Sequence, residues 1–508
     1  MFMARAIQAQ TVRQFRIGGL FRHWENEARE LLGPGATHIL SQPSRWMGGA
    51  ARGARDSGWR GSRMKQWTRQ GVAVLRATIA ERFDPAATAD TGAVPSDVAR
   101  GNDTATRSRD WWRPVVKQAV FMWLVTRVVL ALVTYAAVLL TAAGTPVNYA
   151  PGAPGFHSFT IWQLAQSWNR WDTVHFLDIA RNGYYAIEPT AFFPLYPMLV
   201  RAVMFPLGNA HALLAGLIVS NLAVLGAFAG VGLLAAGEEP ADANRAGLSA
   251  IRVLAAYPLA FFLTAAYTDG LFLAFAAFSL FFGRRGRWGW AAGMAFAAGF
   301  TRLTSVVLIA PLLFEYYRQH EWRAGAWRER LLRLRPLAEM ALVVAAVPAA
   351  IGMYFTFLWV RFGSPMTLFT AERIYWSHVS TTPWNALHVT LHKFIHTPIF
   401  SYWQARTLVD LAPLLLVALL TLFVMRRQPL SFTLLTAGVL FLSIISPIPH
   451  RPDVLASAGR YMLAAAPIFV LLGQWSRRRP WLDMLLVSGG FMLQAVLLLC
   501  FLTGYWIV

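Results

Sequence analysis

From residue 115 onward the chain alternates between long apolar runs and short polar gaps. The runs lie near 116–141, 211–235, 247–265, 267–283, 288–317, 337–360, 409–425, 430–447, 459–475 and 482–505. A helix needs about 20 apolar residues to cross the hydrocarbon of a bilayer. The pattern therefore predicts an all-α polytopic membrane protein. The gaps at Arg284–Arg287, Arg426–Arg427 and Arg477–Arg479 are basic, as is "RQHEWRAGAWRERLLRLRP" after the fifth run. Basic gaps are retained on the cytoplasmic side. One crossing between 288 and 317 would put the last of these on the wrong side. Two short helices turning at "GFTR" restore the alternation, which gives about eleven helices, some short or re-entrant. The N-terminus is then cytoplasmic and the C-terminus outside. The loops 142–210, 361–408 and 448–458 face outward.

Composition agrees with this. Of 508 residues, 56% are hydrophobic and 14% charged, against about 25% charged in soluble proteins. The net charge of +21 sits in the basic gaps and in the N-terminal segment. That placement argues for membrane lipids as partners and against nucleic acid. A lone cysteine, Cys500, excludes intrachain disulfides. Residues 1–114 are rich in Arg, Ala, Gly and Trp and carry no apolar signal-peptide core. They read as a basic, poorly ordered cytoplasmic extension ahead of a transmembrane domain over 115–508.

The first outer loop concentrates unusual chemistry. "SWNRWDTVHFLDIARNGYYAIEPTAFFPLYPMLVR" (167–201) gathers tryptophans, carboxylates and a histidine beside a membrane span. Trp168, Trp171, His175 and Asp178 fall at helical spacing, with Asp172, Phe176 and Ile179 on a neighbouring face. The spacing predicts an interfacial helix ended by "GYY", after which Pro194 and Pro197 break regular helix. Two readings follow. The charges are either simply solvated, or a carboxylate is held in a partly dry site where it can act as a base.

The stretch "RWDTVHFLDIARNGYYAIEPTAFFPLYPMLVR" (170–201) resembles the signature region of the PIG-V-type mannosyltransferases, the GPI mannosyltransferase 2 family and its bacterial relatives. Weaker echoes follow in "YPLAFFLTAAYTDGLFLAF", "AAGFTRLTS" and "SAGRYMLAAAP", so the resemblance covers roughly 115–505. His175 departs from it, since eukaryotic members more often carry tyrosine there. The resemblance implies a GT-C type helical bundle whose large non-cytoplasmic loops carry the active site. It implies a multi-pass glycosyltransferase of the cell membrane, acting on the non-cytoplasmic face in the synthesis of a glycolipid or GPI-like glycan. The donor would be a polyprenyl-phosphate-linked sugar, mannose or another hexose. The acceptor would be a glycolipid, glycan or protein hydroxyl. Asp172 maps to the catalytic base of an inverting displacement, with Trp171, His175, Asp178 and Glu188 beside the substrate. Asp178, the next carboxylate along, ranks second as base. No cofactor is implied beyond the donor, and no divalent metal.

A departing phosphate calls for cations, and arginine supplies a bidentate match. Arg302 at the outer turn and Arg460 at the start of the 459–475 run are the candidates, with His450 and Arg451 behind them. Asp269, in "AYTDG", reads either as a helix cap or as a substrate ligand. Arg127, midway along the first run, is expected to pair within the bundle or to snorkel. His388, His392 and His396 recur every fourth residue opposite an apolar face, which predicts a lateral interfacial helix over a metal site. No nucleotide-binding motif stands out, in keeping with a lipid-linked donor. The alternatives are a transporter or flippase of a lipid-linked or charged solute, and an inactive assembly subunit. A transporter should show repeated halves and midplane charges, whereas no repeat is seen here and the polar groups gather at the outer edge.

Overall fold

The computed structural model describes residues 111–142, 161–320 and 334–507. The extension expected over 1–114 lies outside the described residues, except where Trp112 opens the first long helix. Every regular element among the described residues is helical, as the apolar runs predict.

Among the described residues, five helices are long and apolar enough to cross a membrane: Trp112–Thr141, Asn209–Glu238, Pro336–Phe362, Tyr402–Phe423 and Pro480–Leu502. The helix within Asn209–Glu238 is the axis of the bundle, with 67% of its apolar window buried against 28–39% for the other four. Its small residues explain that position. A Cβ on Gly232 would sit 2.7 Å from the Ile251 side chain and 3.0 Å from that of Val115, so glycine there leaves room for both neighbouring helices. Inside the first helix, Arg127 donates to Asn221 Oδ1 at 2.5 Å. It thus pairs within the bundle, one of its two expected fates.

The apolar run 288–317 is indeed two pieces. Helix Trp288–Gly299 ends at Phe300, Arg302 is extended, and helix Ile309–Gln319 runs back. Trp288 then meets Tyr316 edge to face at 4.9 Å, which brings the far ends of both arms together. The 247–265 and 459–475 runs also break into shorter helices, Ala243–Ala256 and Ala466–Arg478, flanked by single turns.

Ion pairs tie two of the basic gaps to neighbouring helix ends. Arg284 reaches Glu238 and Glu315, each at 2.6 Å, and Arg477 reaches Glu239 and Asp242. Helix Asp269–Arg284 begins at the end opposite Arg284. Its 16 residues cover about 24 Å, so Asp269 lies a long way from the Arg284 cluster.

Three local expectations are corrected. The helix of the first outer loop spans Asp172–Asn182, not Trp168 onward, because Trp171 has φ 51° and cannot continue a helical turn. Pro194 and Pro197 start helix Leu195–Leu207 rather than break one, since proline is tolerated where a helix has no N–H to pair. The loop expected over 361–408 is shorter, because Ser401 accepts from the Gln404 N–H and caps a helix beginning at Tyr402. Inside that loop the expected histidine helix is Pro383–His396.

Candidate active site

Asp172 opens its helix, where the N-terminal peptide dipoles favour a carboxylate. Two features fix it. Phe176, Leu177 and Ala180 on the same helix are buried against Tyr196, Val200 and Leu213. Tyr267, from the turn before Asp269, takes the Asp172 backbone N–H on its hydroxyl at 3.3 Å. The preceding residue carries strain. Trp171 holds φ 51°, ψ −123°, a conformation open to glycine and costly for other residues, by about 1–3 kcal/mol.

Two aspartates and two arginines interlock at this end of the bundle. Arg460 Nη1 donates to Asp172 Oδ2 at 3.2 Å, and its Nε lies 3.6 Å from Asp269 Oδ1. Arg302 Nη2 stands 2.7 Å from Asp269 Oδ2, while its Nε donates to Thr268 Oγ1 at 2.6 Å. The Arg460 guanidinium also lies over the rings of Tyr267 and Phe262, at 5.1 and 5.3 Å. Backbone packing presents Arg460: the Gly459 N–H donates to Asp410 and its carbonyl accepts from the Tyr257 hydroxyl, at 2.9 and 2.6 Å. A Cβ on Gly459 would lie 2.5 Å from the Val409 carbonyl oxygen, so the "SAGRY" glycine is a close-approach position.

Two cavities meet at Asp172 and Arg460. The smaller, about 300 Å³, is lined by Trp171, His175, Glu188, Glu372, Trp376, His378, Arg451 and Trp506 among others. The larger, about 870 Å³, has apolar walls from Val306, Met366, Phe369, Leu442 and Ile445, interrupted by Arg302 and Arg373. Asp172, Glu372, His378, Arg460 and Tyr461 line both.

The sequence-named residues divide as follows. Asp172 and Arg460 stand on the shared wall; Trp171, His175 and Glu188 line the smaller cavity; Arg302 lines the larger. His175 Nδ1 is 3.8 Å from Glu188 and its ring stacks on Phe192 at 5.2 Å. Asp269 lines neither cavity. It is 3% exposed and ties the two arginines together, so it positions them from behind the wall. Asp178 is turned away: its carboxylate is occupied by Asn182 and Tyr185, each at 2.6 Å. His388, His392 and His396 lie on helix Pro383–His396, where the last two rings stack at 4.2 Å. Among the described residues, no group of three or more His, Cys, Asp and Glu side chains is placed to hold a metal ion.

Sequence reasoning missed Glu372, His378, Arg373 and Trp506. Glu372 and His378 come from helix Thr367–Tyr375 and the segment after it, where His378 N donates to the Glu372 carbonyl at 3.1 Å. Their side chains pair at 3.8 Å, and His378 Nδ1 contacts the Ser446 carbonyl at 2.9 Å. Burial, and then the nearby Asp172 charge, push the Glu372 carboxyl up to about 7. Burial holds the His378 imidazole below its ordinary value. The only signal in the sequence was a Glu and a His within one outer loop, with no period to single them out. The indole N–H groups of Trp171 and Trp506 are buried without a hydrogen-bond partner among the described residues, an arrangement costing about 1–3 kcal/mol each.

Residues 113–407 match a family model described as mannosyltransferase (PIG-V). That stretch contains Asp172, Asp269, Arg302 and Glu372 but ends before Arg460. Mouse GPI alpha-1,6-mannosyltransferase 2 is 31% identical over 210 residues, 39% of this chain and 41% of the relative. Its rat counterpart is 32% identical over 186 residues, 35% and 37% of the two chains. The matched region thus spans about two fifths of the length of these curated relatives.

Proposed function

The chain belongs to the PIG-V mannosyltransferase family, and from that premise we propose that it is a membrane mannosyltransferase with Asp172 as its base. The donor in this reading is a polyprenyl-phosphate mannose, and the acceptor is a hydroxyl of a glycolipid, glycan or protein on the non-cytoplasmic face of the cell membrane. The observation that carries it is the position of Asp172: an ionisable carboxylate on the wall shared by two cavities, hydrogen-bonded to an arginine that lines both.

The step is a single in-line displacement. Asp172 takes the proton from the acceptor hydroxyl as its oxygen attacks the anomeric carbon. The bond from that carbon to the phosphate oxygen breaks, and the electron pair leaves with the prenyl phosphate. Inversion turns a β-linked donor into an α-linked product. The larger cavity suits the leaving group, since its apolar walls accept a prenyl chain and Arg302 and Arg373 offer donors to phosphate. Arg460 holds Asp172 in orientation and spreads positive charge toward the departing oxygen. General-base catalysis contributes about 10²–10⁴-fold, and positioning with charge stabilisation supplies the remainder.

The test uses purified protein in lipid nanodiscs with radiolabelled polyprenyl-phosphate mannose and a total lipid extract of the source membranes. Label should move into a new glycoconjugate and be released by an α-mannosidase. No movement of label, or a product resistant to α-mannosidase but cut by a β-mannosidase, would defeat the reading.

A further inference from the structure

The smaller cavity differs in chemistry from the larger one. Its walls are mainly aromatic, with Glu188 and Glu372 as well as Arg451 and Arg460, whereas the larger cavity has more aliphatic walls. Trp171 and Trp506 meet edge to face at 4.6 Å, and Trp376 stands edge-on to His175 at 5.6 Å. Glu188 and Glu372 both line it, each beside a histidine. Flat rings offer faces to the C–H side of a pyranose, while carboxylates accept from its hydroxyls. A prenyl chain would find little room in about 300 Å³. The two buried, unpartnered indole N–H groups on this wall are donors waiting for an oxygen.

We propose that the smaller cavity is the subsite for the acceptor's sugar ring, and that Glu372 is the carboxylate that grips its hydroxyls. This rests on the transferase reading above and deepens it. Glu372 lines both cavities, as Asp172 does, and comes from a separate element. It therefore approaches an acceptor ring from another wall than the base. His378, held on the Ser446 carbonyl, packs beside that carboxyl at 3.8 Å. Glu372 is thus a binding residue that orients the nucleophilic oxygen, and the proton still goes to Asp172.

The experiment measures initial rates of label transfer by the full chain in nanodiscs. The donor is polyprenyl-phosphate mannose, and the acceptor probe is the source-membrane lipid extract; each is varied in turn. For Glu372→Gln the half-saturating amount of extract should rise tenfold or more, with the donor KM within twofold of wild type. Glu372→Asp should recover part of the loss. Trp506→Phe keeps the ring and loses one unpartnered N–H, so it gives a second reading if Glu372→Gln fails to insert; it should also raise only the acceptor value. A rise in donor KM, or no change in either value, overturns the proposal while leaving the transferase reading intact. A wild type that moves no label defeats the transferase reading and this one with it.

Discussion

Asp269→Asn removes one negative charge from a place where two arginines converge. The Asp269 side chain is 2% exposed and stands 2.7 Å from Arg302 and 3.6 Å from Arg460. At an effective dielectric constant of about 20, charges at such distances attract by several kcal/mol before desolvation is counted. Removing one partner of a buried pair strands the other, at a cost of about 3–5 kcal/mol. Asparagine keeps the shape and one acceptor oxygen, so the lower end of that range is expected. Arg460 would still have the Asp172 carboxylate, but Arg302 would lose its ion-pair partner and keep neutral acceptors such as Thr268. The loss should therefore shrink when Arg302 is neutralised as well. Unfolding in mixed micelles, titrated with sodium dodecyl sulfate, measures Asp269→Asn, Arg302→Met and the double variant. The double variant should be less destabilised than the sum of the singles by about 1–3 kcal/mol, the range for side chains in direct contact. Additive losses, or a loss below about 1 kcal/mol in Asp269→Asn, would refute the reasoning that Asp269 holds both arginines electrostatically.

Other outcomes follow from the same geometry. Gly459→Ala would place a methyl group 2.5 Å from the Val409 carbonyl; it should lower stability by about 1–3 kcal/mol and cut transfer by displacing Arg460, and full activity would exclude that close approach. Because Trp171 holds φ 51°, Trp171→Gly should be more stable than Trp171→Ala by about 1 kcal/mol, whereas the reverse order would mean the backbone there is unstrained. Glu372 at about 7 lies above the ordinary 4.5, so the folded chain keeps a proton that the unfolded chain releases. Its contribution then lowers stability as pH rises from about 4.5 to about 7, and Glu372→Gln should flatten that slope in pH-dependent unfolding. An unchanged slope would remove Glu372 as its source.

Much of the architecture was legible because a membrane allows few solutions. A long apolar run has to become a helix, and the charge of the gaps then orders the helix ends. The turn at "GFTR" was readable from parity alone, and it is what presents Arg302. The site was half legible. Arg302 and Arg460 sit at the polar edges of apolar runs, where a charge is conspicuous, while Asp172 was marked out by the family resemblance of its loop. Asp178 ranked second to Asp172 in the sequence; its partners Asn182 and Tyr185 occupy it, and spacing does not reveal such local hydrogen bonds. Glu372 and His378 stayed hidden for a different reason. Glu372 comes from the short helix Thr367–Tyr375 and His378 from the irregular segment after it, whose backbone pairs Val379 with Pro447 and Thr381 with Ile445. Pairings that distant in sequence leave no periodic trace. The start at Trp168 failed because helical spacing continued through a residue whose backbone does not.

The most direct test of the account compares wild type with Asp172→Asn and Asp178→Asn in the transfer of label from polyprenyl-phosphate mannose, with unfolding measured on the same preparations. Asparagine at 172 keeps the size and the contact to Arg460 but cannot take a proton, so transfer should fall about 10²–10⁴-fold while the protein stays folded. Asp178→Asn should transfer nearly as wild type does. Equal transfer by wild type and Asp172→Asn would contradict the claim that Asp172 is the base.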